Sequence, residues 1–71
     1  MTYELWAKDR DTMTYNFIKY IALDNQYYEL DNIDSDVFAE AIIIYRLAGQ
    51  IHCVNYREYE NKEIKDRCRL R

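Results

Sequence analysis

The sequence contains no proline, one glycine (Gly49), one serine (Ser35), one histidine (His52) and two cysteines, Cys53 and Cys68. Each shortage excludes something. Without proline, and with a single glycine, there is no flexible linker and no low-complexity tract. No internal repeat is visible. No apolar run approaches the roughly 18 residues that a membrane span needs. Met1 to Trp6 lacks the basic and then apolar pattern of a signal peptide. These absences lead us to expect a soluble, cytoplasmic protein. Two distant cysteines are too few for a disulfide framework, so we expect a reduced, buried Cys53 and a reduced Cys68 in the tail. His52, Cys53 and Cys68 also lack zinc-site spacing and a fourth ligand.

What is present is bulk and apolar pattern. Seventy-one residues make one small domain whose core is marginal by itself. Eight Tyr, two Phe and one Trp offset that, because each buries much area. The chain is organised around Ala39 to Tyr56, centred on Ile42-Ile43-Ile44. Read as a hairpin over 39–57 with Ala48-Gly49 as the turn, Leu47 pairs with Gln50, Tyr45 with His52, Ile43 with Val54 and Ala41 with Tyr56. Ile44 then meets Cys53 and Arg46 meets Ile51 on the opposite face. Both faces are sensible, and a one-residue slip would spoil both. The rival reading is a helix over 36–48, capped by Asp34 or Ser35 and ended by Gly49, packed on a three- or four-strand sheet. Against the helix, Ile43, Ile44 and Leu47 fall off its apolar stripe. In its favour, alanine resists the positive φ of a tight hairpin turn.

Elsewhere, alternation places a first strand over Thr2 to Lys8 and a second over Tyr15 to Leu23, with Asp9 to Thr12 reversing the chain. Lys19 interrupts the apolar face of the second strand, so that strand is wet there or bulged. Asp24-Asn25 suits a two-residue turn. A third strand follows over Gln26 to Asp31, and Asn32 to Asp36 reads as a loop or one tight helical turn. The expected architecture is predominantly β: a five-strand antiparallel meander or open barrel in one domain, residues 1–61. A basic tail or short helix follows over 62–71.

Charge is unevenly placed. Asp24, Glu29, Asp31, Asp34, Asp36 and Glu40 fall within 17 residues that hold no Lys or Arg. The last ten residues carry five basic side chains against Glu63 and Asp66, so a net charge of −3 hides an acidic middle and a basic end. The acidic set suggests a docking surface for a basic region of a larger protein. Trp6, Lys8, Lys19, Tyr20, Arg46 and Arg57 form an alternative set, with aromatics to stack bases and cations for phosphates.

Catalytic and metal chemistries find little support. The run from Asn32 fails as an EF-hand loop, since Val37 stands at the glycine position and Ile43 at the bidentate glutamate. His52 and Cys53, adjacent on a strand, point to opposite faces and cannot readily pair as base and nucleophile. Nothing singles out two of the 13 acids as a catalytic pair. We therefore expect no enzyme, no cofactor and no metal. Abundant Ile, Asn, Asp, Lys and Tyr suggests an AT-rich coding sequence, and the size is that of many accessory proteins of phages and mobile elements. The expectation is a small protein-binding module, an inhibitor or adaptor docking through its acidic surface. Alternatives are a single-stranded nucleic-acid binder and a structural homo-oligomer subunit. A homodimer through a sheet edge is a further expectation.

Overall fold

The computed structural model describes residues 2–59, and the expected tail or helix over 62–71, with Cys68, lies outside them. Four strands form one antiparallel sheet: β1 (Tyr3–Asp9), β2 (Tyr15–Ile21), β3 (Phe38–Leu47) and β4 (Gln50–Glu58). Their order across the sheet is β2-β1-β3-β4, so two hairpins stand side by side with β1 and β3 in the middle. A 3-10 turn (Leu23–Asn25) and a six-residue helix, α1 (Gln26–Asp31), connect them.

The central hairpin forms, and the helix over 36–48 does not. The turn is Ala48 at φ 52° and Gly49 at φ 78°. Two positive φ values match the right-handed twist of the flanking strands, so the geometry imposes left-handed backbone on an alanine. Leu47–Gln50, Tyr45–His52, Ile44–Cys53 and Arg46–Ile51 pair as the alternation requires. Beyond them a bulge makes Ile43 face Asn55 and Ala41 face Arg57, replacing the expected Val54 and Tyr56 partners. The extra residue is Val54, which thereby turns its apolar side chain towards the core.

The expected third strand is α1, so the five-strand meander is replaced by four strands and a helix. The reason lies in spacing. Gln26, Glu29, Leu30 and Ile33 recur at helical period and face the sheet, while Tyr27, Tyr28 and Asp31 face water. A strand would have put exposed Tyr28 on the same side as fully buried Leu30. Asn32 closes the helix by donating from Nδ2 to the Tyr28 carbonyl at 2.7 Å.

One face of the sheet holds the core. Leu5 and Ala7 of β1, Ala41 and Ile43 of β3 and Leu30 of α1 are buried together, flanked by Tyr3, Ile21, Ile33, Phe38, Val54 and Tyr59. Polar ties hold α1 against this face. Lys19 of β2 bonds Glu29 at 2.9 Å, Arg57 of β4 bonds Asp31, and Asn55 donates to Gln26 at 2.8 Å. Arg10 reaches the carbonyls of Ser35 and Tyr59, both at 2.8 Å, and the Tyr59 hydroxyl donates to the Leu30 carbonyl at 2.7 Å. Lys19 thus belongs beside the helix because β2 bulges: Leu5 pairs with Lys19 and Trp6 with Phe17, leaving Ile18 as the extra residue.

Candidate interaction surface

The second face of the sheet has no covering layer among the described residues. Pairing places Glu4, Trp6 and Lys8 of β1 beside Tyr20, Phe17 and Tyr15 of β2. On the other side they neighbour Ile44, Ile42 and Glu40 of β3, which in turn face Cys53, Tyr56 and Glu58 of β4. Arg46 and Ile51 extend the surface towards the turn. The rings interlock. Trp6 meets Phe17 edge-on with centroids 5.5 Å apart, and Phe17 meets Tyr20 at 4.9 Å, the geometry that ring quadrupoles favour. Phe17 remains 43% exposed, Tyr20 65% and Ile51 60%, so this is apolar surface left in water.

Charges frame it in pairs. Arg46 grips Glu4 with Nε at 2.9 Å and Nη2 at 3.3 Å, while the Trp6 indole donates to the same carboxylate at 3.0 Å. These donors, Arg46 first, hold the Glu4 carboxyl below its ordinary value. At the other end Tyr15 donates to Glu40 at 2.9 Å, and Lys8 lies 3.7 Å from it. The hydroxyls of Tyr15 and then Tyr56 lower the Glu40 pKa, and Lys8 adds its attraction. Burial first, and the Glu40 carboxylate second, push both Tyr15 and Tyr56 up to about 12. Both phenols therefore remain donors throughout the physiological range; the Glu4–Arg46 end of the surface is internally neutral, whereas the other end sets Glu40 and Glu58 against Lys8.

The two residue sets expected from sequence are dispersed. Of the nucleic-acid set, Trp6, Lys8, Tyr20 and Arg46 share the open face, whereas Lys19 and Arg57 lie on the helix side and hold α1. Of the acidic set, Glu40 is on the open face, while Glu29 and Asp31 are paired with those two cations. Asp34 accepts from the Asp36 amide at 3.0 Å within its own turn, and Asp24 sits in the 3-10 turn. Cys53, expected to be buried, is exposed, because its side of β4 is the uncovered one. His52 lies on the opposite face, stacked on Tyr45 at 4.9 Å, so imidazole and thiol do not meet.

Sequence reading missed Tyr15, Phe17, Ile42, Ile51 and Tyr56 as members of one surface. The alternation of Glu4, Trp6 and Lys8 was visible, but their neighbours depend on strand order and on two bulges. Among the described residues no three His, Cys, Asp or Glu side chains converge as a metal site, and no buried side-chain polar atom lacks a partner. No helix among them is long and apolar enough to cross a membrane. Compared with protein-family models, curated proteins and solved structures, the chain matches none.

Proposed function

We propose that this chain is a non-enzymatic protein-interaction module whose contact surface is the open face of the sheet. The observation that supports it is the interlocked, partly exposed group Trp6, Phe17 and Tyr20 with Tyr15, Ile42 and Tyr56 beside it. Buried aromatic anchors within a polar rim are what protein interfaces use. The fitting partner is a largely apolar protein surface, since Glu4–Arg46 and Lys8–Glu40 pair most of the charge on this face and Glu58 lies at its rim. An inhibitor or adaptor of the kind found among small accessory proteins would act through such a surface. The acidic stretch contributes less, with Glu29, Asp31 and Glu40 already engaged.

Single-stranded nucleic acid is the second reading, favoured by stackable rings on a sheet face. It is weakened by the same ion pairs. Lys8 and Arg46, the cations nearest those rings, are each held by a carboxylate, and phosphate contact dominates such affinity. Two assays separate the readings. Trp6 is the only tryptophan, so oligo-dT binding at low salt would quench its emission. Capture from nuclease-treated extract, compared between wild type and Phe17→Ser/Tyr20→Ser, reads protein partners. Face-dependent, nuclease-resistant capture without oligo-dT quenching is the expected result. Strong quenching by oligo-dT, with capture lost to nuclease, overturns the proposal in favour of the second reading.

A further inference from the structure

We infer that the open face is covered by a second copy of this chain, two sheets packing face to face about a two-fold axis. This rests on the reading of that face as a protein interface and names its partner.

Area, charge and edges point the same way. Tyr15, Phe17, Tyr20 and Tyr56 are 38, 43, 65 and 45% exposed. At about 200 Å² per aromatic residue they leave on the order of 400 Å² in water. Ile51, 60% exposed, and the half-buried Trp6 and Ile42 extend that area. The total approaches the roughly 800 Å² that each partner contributes to a standard interface, and it is large for a monomer to leave exposed. Among the described residues the fold is one sheet with one six-residue helix on one side. Small domains are stable as packed layers, and a second sheet about 10 Å away supplies the missing one.

A self-complementary surface must also tolerate its own charges. Here Glu4 is paired with Arg46 and Glu40 with Lys8, and the further carboxylate of this face, Glu58, is exposed on edge strand β4 at the rim, away from the centre that meets its copy. The edges are unsuited to the same task. Edge strands β2 and β4 each carry a bulge, at Ile18 and at Val54, and bulges are a device that discourages edge-to-edge strand pairing. Association therefore goes through the face and not through the sheet edge expected from sequence. In such a dimer both helix layers, with Asp24, Asp34 and Asp36, remain on the outside.

Sedimentation equilibrium of the full chain under reducing conditions, from about 1 to about 200 micromolar, covers the range of a modest dimer. The expected result is a monomer–dimer equilibrium that is not weakened in concentrated salt, because burial drives it. Phe17→Ser/Tyr20→Ser should raise the dissociation constant by about 100-fold or more, as loss of two large aromatic anchors does. Circular dichroism checks that this variant folds. If it does not, Ile51→Lys, at an exposed position of the same face, should cause a comparable loss. A wild type that stays monomeric throughout overturns the inference, as does a dimer that survives these changes or dissolves with salt. A monomer that still captures protein through this face would leave the interaction reading standing and remove only the second copy.

Discussion

Ile42 and Ile43 are chemically identical neighbours on opposite sides of one strand, and truncating each should have different consequences. Ile43 is fully buried against Leu5, Ala7, Ala41 and Leu30. Ile43→Ala removes three carbons, and at about 0.8 kcal/mol per buried CH₂ the transfer loss is about 2.4 kcal/mol. A residual cavity of about 50 Å³, at about 24 cal/mol per Å³, adds about 1 kcal/mol. The total is comparable to the roughly 3–5 kcal/mol that a single core of this size supplies. Ile43→Ala should therefore be largely unfolded at 25 °C. Ile42 faces the uncovered side and is only partly shielded. Ile42→Ala should cost clearly less, about 1.5 kcal/mol in dilute solution, because its side chain is already partly exposed and truncation on an open face leaves no enclosed cavity. Urea titration followed by circular dichroism at low micromolar concentration measures both. Equal losses, or a larger loss for Ile42→Ala, would show that the core lies on the other face.

Three further outcomes follow from the geometry. Ala48→Gly should stabilise by about 1 kcal/mol, because an L-residue in left-handed backbone costs about 1–2 kcal/mol and glycine does not; a melting temperature that falls would contradict the φ of 52° at this site. Tyr15 and Tyr56 should ionise near 12, against 10 in the unfolded chain, so the stability they contribute is complete below pH 10 and declines as pH rises from 10 towards 12. Phenolate absorbance at 295 nm reads this, and Glu40→Gln should bring both midpoints down. Glu4 and Glu40 have folded pKa values below the ordinary 4.5, so their contribution is present above pH 4.5 and disappears as pH falls through the lowered values. Glu4→Gln should flatten that acid limb in denaturation curves taken from pH 5 to pH 2; an unchanged limb would mean that the Arg46 grip is absent in solution.

The β3–β4 hairpin was legible because its alternation is long and both faces make sense in only one register. Even the bulge in β2 was foreshadowed, since Lys19 spoils an unbroken apolar face, and its pairing with Glu29 explains the spoiling. The helix was not legible. Six residues over Gln26 to Asp31 fit period 2 about as well as period 3.6, and only Ile33, beyond the helix, decides between them. The open face was not legible either. Its members come from four strands, and which strands adjoin is set by long-range pairing that no local pattern encodes. Arg57 illustrates the consequence: a cation grouped with Arg46 by chemistry faces the helix, because one extra residue at Val54 shifts the register.

The central claim is that the sheet face bearing Trp6 is an interface for a second copy. Trp6 reports on it directly, being the only tryptophan and lying within that face beside Phe17. The measurement is acrylamide quenching of its emission across the same concentration series used for sedimentation. The expected result is an emission maximum that moves to the blue and a quenching constant that falls as dimer forms, both reversing on dilution. A spectrum and quenching constant unchanged from the lowest to the highest concentration would contradict the claim.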